Sequence, residues 1–237
     1  MPNDYFQFKQ FIVHQRACSM KVCTDACILG AWFALKKPSA SSILDIGSGT
    51  GLLMLMLAQK INATIHGVEI DPSSFKQLQE NTQQSKWSNR LQVFEGDARF
   101  FLFTTIYDFI ICNPPFFEND LVSLKEEDQV AKHSKQLTLE ELIIVIEKNL
   151  SENGSFGILL PYHRVTYFNE LAASKKFYPT EIVLVKQTPK HNYFRAIITY
   201  SINSSIIIKE TELTIKQEDG IYSNSFIDLL KDYYLKL

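Results

Sequence analysis

From its residues alone, the chain reads as one doubly wound α/β domain, with seven strands in a mostly parallel sheet and helices on both faces. Two observations predict this. From residue 42 onward, short β-branched runs alternate with helical patterns, the signature of parallel strands joined by crossover helices. The residues with chemical potential recur just past the ends of those runs, where such sheets bind their ligands.

The elements follow in order. Ser42–Ile46 is an apolar run bounded by polar residues and reads as a buried strand. Thr50–Lys60 reads as a helix after a glycine turn, and Thr64–Ile70 as the second strand. Asp71 is an N-cap before Pro72, which suits the first turn of the next helix. Leu91–Glu95 and Tyr107–Cys112 are the third and fourth strands. A helix over Thr138–Leu150 has Thr138 as N-cap with Glu141 three residues on, and Asn153-Gly154 is expected to close it. Ser155–Leu160 is the fifth strand, Arg164–Lys175 a helix, and Glu181–Lys186 and Phe194–Ser201 the sixth and seventh strands. The run Ser205–Lys209 is a candidate extension of the sheet edge. A last helix, Ser223–Leu235, carries Phe226, Leu229, Leu230 and Tyr233 at helical spacing.

Composition bounds the function. At 237 residues with 46% hydrophobic side chains, the chain can bury a sizeable core. Its apolar stretches fall far short of a membrane span, and the start MPNDYFQFKQ lacks the apolar region of a secretion signal. A cytoplasmic protein is expected, with no membrane partner. Cys18, Cys23, Cys27 and Cys112 should then be reduced thiols. The first three cluster without the C-x-x-C pairing of a zinc site, so no metal is expected. The net charge of −2 argues against nucleic acid as a partner, but its distribution is uneven. Residues 1–40 carry five lysines and arginines against two aspartates, and residues 161–200 carry six against two glutamates. Segment 117–130 is acidic. The two basic segments can together track a phosphate backbone around the site, which singles out Lys190 and Arg195; the alternative is ordinary solvated charge.

The motifs carry more. Past the first strand stands Asp45-Ile46-Gly47-Ser48-Gly49-Thr50-Gly51. Glycines at every second position let the chain turn tightly and bring its backbone against a ligand. Leu52 stands where a dinucleotide fingerprint needs its third glycine, so that pattern fails. Past the second strand, Glu69 lies about twenty residues beyond the glycine loop, where a carboxylate can accept both hydroxyls of a ribose. A solvated strand end is the simpler alternative. Past the third strand come Asp97 and Ala98. An aspartate after a glycine is also a common turn residue.

Past the fourth strand stands Asn113-Pro114-Pro115-Phe116. Two prolines fix φ and remove two donors. The Asn113 side-chain oxygen and the Pro114 carbonyl can then both accept from one NH2 group, orienting its lone pair and stabilising the positive charge that grows on nitrogen during alkylation. Phe116 offers a face for a stacked base. No acid or base of tuned pKa is needed, because positioning supplies most of the acceleration.

D-x-G-x-G-x-G followed by N-P-P-F resembles the class I S-adenosylmethionine methyltransferases that modify an amine conjugated to a π system. That resemblance implies S-adenosylmethionine as cofactor, the glycine loop around its methionine part, Asp45 helping to hold its amino group, and Asp97 and Ala98 at its adenine. The N-terminal segment narrows it. Phe6–Val13, Lys21-Val22-Cys23-Thr24-Asp25 and Leu29-Gly30-Ala31-Trp32, together with Ala131–Ser134 and Tyr222–Leu237, are similar to the bacterial family that N6-methylates the adenine next to the anticodon of a valine tRNA. The likeness covers nearly the whole chain. It implies a tRNA anticodon stem-loop as partner, no DNA, a monomer, and a single domain over 1–237 in which residues 1–40 cap the cofactor and substrate site of a catalytic core at 41–237. By the same likeness Thr24 and Asp25 are candidate cofactor contacts, or else a helix N-cap pair. Cys23 departs from the small glycine expected there. Phe116 departs from a common tyrosine, which keeps stacking but loses a phenolic hydrogen bond. His133 is a candidate phosphate or base contact, or a solvated side chain, and Phe117 a second stacking surface or plain core.

Rival substrates share the amine loop: a guanine N2 or adenine N6 in ribosomal RNA, or a protein glutamine. The guanine enzymes often carry a duplicated domain and the glutamine enzymes an N-terminal helical domain, for which 237 residues and a forty-residue lead leave no room. A non-catalytic RNA-binding module would have no reason to keep both the glycine loop and Asn113-Pro114-Pro115-Phe116.

Overall fold

The computed structural model describes residues 3–18, 20–37, 39–115, 137–202 and 207–237. Ten strands and six α-helices lie among them. Strands β1 (Tyr5–Gln7) and β2 (Ile12–His14) form a short antiparallel hairpin, with Tyr5 opposite His14. Helix α1 (Thr24–Lys36) follows. Then come β3 (Ser42–Ile46), α2 (Leu52–Lys60), β4 (Thr64–Glu69), α3 (Pro72–Gln83), β5 (Leu91–Glu95) and β6 (Tyr107–Cys112). The chain continues through α4 (Leu139–Asn149), β7 (Leu150–Pro161), α5 (Val165–Ser174), β8 (Tyr178–Lys186), β9 (Tyr193–Ser201), β10 (Lys209–Thr214) and α6 (Asn224–Leu230).

Strands β3 to β10 make one sheet in the order β10-β8-β9-β7-β6-β3-β4-β5. Only β9 runs against its neighbours; every other pairing is parallel. From β3 the chain winds outward to β4 and β5, then returns to β6 on the other side. The switch point therefore lies between β3 and β6, whose ends align with Ile46 opposite Cys112. A crevice opens past the carboxyl ends at such a point.

Alternation along each strand sorts the core into two layers. Ile43, Ile65, Phe109 and Ile111 face one way, against α1, α2 and α6. Leu44, Ile46, Val68, Ile110 and Phe156 face the other, against α4 and α5. Leu52 to Ala58 of α2 are all buried, so this helix is apolar all round, enclosed between the sheet, α1 and the N-terminal hairpin. Phe8 and Phe11 stack at 4.5 Å and tie that hairpin to the same layer. Close approach is extreme at Gly157 in β7, where a Cβ would come within 2.2 Å of the buried Phe33 ring. Gly157→Ala should thus cost about 1–3 kcal/mol through overpacking and lower the melting midpoint by several degrees. A thermal scan with an unchanged midpoint would mean that the Phe33 ring has somewhere to go.

Three sequence expectations are corrected. The sheet has eight strands, not seven, and its edge is Lys209–Thr214 rather than Ser205–Lys209. The isoleucines of that run mislead: Ile207 and Ile208 are exposed, and the strand is the charged stretch KETELT, a composition that blunts a free sheet edge. Asn153-Gly154 does not close a helix. Helix α4 ends at Asn149 and β7 begins directly at Leu150. Tyr107 faces Leu150 and Phe109 faces Ser155, and Asn153 and Gly154 lie in that slip of the ladder. The last helix stops at Leu230, five residues earlier than expected. Two caps stand as read. The Asp71 carboxylate accepts from the Ser74 N–H at 2.7 Å ahead of Pro72, and Thr138 with Glu141 completes a capping box.

Candidate active site

The glycine loop is built at the end of β3. Gly47, Gly49 and Gly51 all have left-handed φ angles, 72°, 55° and 81°, so none of the three positions tolerates a side chain without strain. Gly51 is also pinned by space, since a Cβ there would meet Leu78 at 2.8 Å. The N–H groups of Gly47 and Ser48 both donate to the Val68 carbonyl, at 3.0 and 3.1 Å, which locks the loop to β4. Helix α2 starts at its end, and the unsatisfied N–H groups of that first turn favour a negative group.

Glu69 closes the next corner. One carboxylate oxygen accepts from the Gly49 N–H at 2.8 Å, the other from the Asp71 N–H at 2.9 Å. Each oxygen keeps a further lone pair. The residue therefore holds the glycine loop and the α3 turn together and still has acceptors for a diol.

Asp45 sits behind the glycine turn with no exposure. Neither carboxylate oxygen has a hydrogen-bond partner among the described residues. Burial, and secondarily the neighbouring Glu69 charge, push its carboxyl up to about 8; the Ser48 hydroxyl pulls the other way. An uncompensated buried carboxyl is costly, and a cationic ligand group is the natural compensation.

The amine loop leaves the adjacent strand one residue after the Ile46–Cys112 pairing, so Asn113 and Gly47 are neighbours at the switch point. The Asn113 side-chain oxygen is buried and has no partner among the described residues. Pro114 is buried and Pro115 exposed. Phe116, Phe117 and His133, and the acidic segment 117–130, lie outside the described residues.

These pieces line one cavity of about 240 Å3. Gly47, Gly49, Glu69, Asn113, Pro114 and Pro115 are all in its wall. Gly51 lies one residue past it. Of the other candidates, Asp45 lies behind the wall. Asp97 and Ala98 follow β5 outside it. Asp97 is gripped by the Arg99 guanidinium, with contacts of 2.6 to 2.9 Å, which holds its carboxyl below the usual range. Arg99 also reaches Glu141 at 3.0 Å, so this corner is tied to the capped start of α4. Thr24 is exposed at the first turn of α1. Asp25 pairs with Arg195 on β9 at 2.9 Å. Neither lines the cavity, and the N-cap is Cys23, with no side-chain bond.

Sequence reasoning missed several wall residues. Cys18, Met20, Lys21 and Val22 close the cavity from the N-terminal side. They are held there by Gln15, whose side-chain oxygen accepts from the Val22 N–H at 2.8 Å. Asn81 is 2% exposed inside α3; it exchanges hydrogen bonds with the His14 backbone at 2.9 and 2.8 Å and donates to the Thr50 carbonyl at 2.8 Å. It binds the hairpin to the glycine loop, and nothing in its polar helical surroundings signals that. The Asp97–Arg99 spacing was the readable clue to Arg99.

The cavity fits S-adenosylmethionine. Asp45 offers an unpartnered carboxylate for an ammonium, the α2 start suits a carboxylate, and Glu69 has spare acceptors for a ribose. Ile46, Leu53 and Ile70 supply apolar wall.

Residues 31–178 match the model of the methyltransferase small domain family. A protein of Dyadobacter fermentans named tRNA1(Val) (adenine(37)-N6)-methyltransferase is 41% identical over 99% of this chain and 98% of its own length. One of the same name from Haemophilus influenzae is 39% identical over 98% of each. This chain belongs to the tRNA1(Val) (adenine(37)-N6)-methyltransferase family. Among solved structures, a predicted O-methyltransferase from Agrobacterium tumefaciens superposes with a TM-score of 0.69 at 16% identity, over 87% of this chain and 95% of that one. That likeness bears on the fold, which this family shares with methyltransferases of other substrates. Among the described residues, no helix is long and apolar enough to cross a membrane.

Proposed function

We propose that this protein methylates N6 of the adenine at position 37 in a tRNA1(Val), the reaction named for its relatives, and that it does so in the cytoplasm as a monomer. The observation that carries the residue assignment is the shared cavity: the glycine loop and the unpartnered Asn113 oxygen open into the same space.

S-adenosylmethionine supplies an electrophilic methyl group on a sulfonium. Asp45, the loop Gly47–Gly51 and Glu69 would hold it, with Asp97 and Ala98 toward its adenine; Thr24 and Asp25 support the cap from the first turn of α1. Asn113 and the Pro114 carbonyl accept from the target amine and turn its lone pair toward the methyl. They also stabilise the positive charge that develops on nitrogen. Pro115 keeps the loop rigid, and Phe116 provides a stacking face for the extruded base. The segment 1–40 excludes water, with Met20, Lys21 and Val22 as the part that touches the cavity. The proton leaves the amine after transfer, when it is strongly acidic, so bulk water suffices as acceptor.

The test is nucleoside analysis of unmodified bulk tRNA incubated with the protein and methyl-labelled S-adenosylmethionine. Label is expected in N6-methyladenosine and confined to the valine acceptor with adenine 37. Label in guanine, or none in tRNA and some in ribosomal RNA or a protein glutamine, would overturn the substrate assignment.

A further inference from the structure

A second recess lies on the far side of the amine loop. It shares Pro114, Pro115 and Leu137 with the cofactor cavity, but Asn113 is not in its wall. Its other side is Pro161, His163 and Arg164, from the end of β7 and the 3-10 turn Tyr162–Arg164 that follows. The recess is thus beside the methyl-acceptor position rather than at it. Its walls are flat and apolar, and its lip carries an imidazole and a guanidinium.

The lip continues as an aromatic surface. Tyr162 is 44% exposed and packs on Tyr193 at 5.4 Å. Tyr167 is 39% exposed, with the Arg164 guanidinium over its ring at 4.8 Å. The nearby carboxylate Glu212 pairs with Lys186 at 2.7 Å, which offsets its charge. The basic residues of segment 161–200 are otherwise largely matched: Lys175 pairs with Glu147, Lys190 with Glu218 and Arg195 with Asp25. Diffuse charge on this face is therefore weaker than the sequence suggests. What distinguishes the lip is rings and cations interleaved next to the amine loop, the composition that grips single-stranded nucleotides by stacking and charge together.

We infer that the turn Tyr162-His163-Arg164 holds the nucleotide flanking the target adenine in the RNA loop, its base against the Pro114–Pro161 recess and Tyr162, its backbone at His163 and Arg164. This rests on the RNA-methylating reading above. It makes the turn a specificity element: the enzyme grips the neighbour as well as the base it modifies.

The test uses the full chain and an anticodon stem-loop RNA, with variants Tyr162→Ala, Tyr162→Phe and Arg164→Ala, and RNAs made abasic on either side of the target. Tyr162→Ala should raise KM for RNA about tenfold, with kcat at saturating RNA and affinity for S-adenosylmethionine kept. Tyr162→Phe should restore the wild-type KM. Arg164→Ala should flatten the slope of log affinity against log salt by about one. An abasic flanking nucleotide should weaken binding to the wild-type protein and add little to Tyr162→Ala, because both remove one contact. If abasic sites on both sides are neutral for a wild-type protein that does methylate the RNA, the inference fails while the function stands. If the wild-type protein methylates no tRNA, the underlying reading fails first.

Discussion

Asn113→Ala is expected to lower kcat for methyl transfer about 10²- to 10³-fold, the usual consequence of removing one aligned dipole from a developing charge. Its side-chain oxygen is buried and without partner among the described residues, an arrangement that costs free energy unless a donor arrives. The target amine is that donor. Alanine would leave the loop, anchored by Pro114 and Pro115, in place, so affinity for S-adenosylmethionine should change by less than about threefold on this argument. Asn113→Asp keeps an acceptor at the same position and adds negative charge near a nitrogen becoming positive. It should retain more activity than alanine despite the desolvation cost of a buried charge. Single-turnover methylation of tRNA by the two variants decides the matter. An alanine variant within tenfold of wild type would remove Asn113 from the chemistry, and an aspartate variant less active than alanine would mean that shape, not acceptance, is what the position supplies.

How much of this was legible in the residues depends on distance along the chain. The glycine loop, Glu69 and Asn113-Pro114-Pro115 each announce themselves within a few residues, because each follows a strand end. A parallel sheet brings consecutive strand ends to one rim, so three local motifs imply one site. The register Ile46–Cys112 is the physical form of that implication. Asn81 and Gln15 were invisible for the opposite reason. Each acts through bonds to backbone groups of a distant segment, and an asparagine or glutamine in a polar stretch looks the same whether solvated or buried. Arg195 was misjudged in kind. Counted as surface charge, it is the partner of Asp25, and only the fold brings residues 170 positions apart together. The sheet edge failed for a related reason: hydrophobicity marks buried strands, whereas Lys209–Thr214 is an edge strand and charged.

Asp45→Asn should separate stability from function in opposite directions. The wild-type carboxyl is fully buried and pushed up to about 8, against an unperturbed 3.8. For an acid with a raised folded value, the folded state binds the proton more tightly than the unfolded chain does. The associated stability is therefore greatest below about 3.8 and is lost as pH rises toward about 8. Asparagine removes that loss. Without ligand, the variant should melt several degrees above wild type at pH 8, and the gap should narrow as pH falls toward 4. Cofactor binding should behave the other way. An ammonium beside Asp45 favours the ionised carboxylate, so binding releases a proton and wild-type affinity should strengthen as pH rises toward about 8. Above that, an α-amino group, with its ordinary pKa of roughly 7.7–8.0, loses its own charge and affinity should fall again. The asparagine variant should bind far more weakly and lose the rising limb. Calorimetric titrations of both proteins between pH 6 and 9, with melting curves at the same points, test this together. An Asn variant that keeps both affinity and pH profile would show that the buried carboxyl is not what meets the ammonium. One that melts lower than wild type at pH 8 would show that Asp45 is compensated inside the fold and needs no ligand.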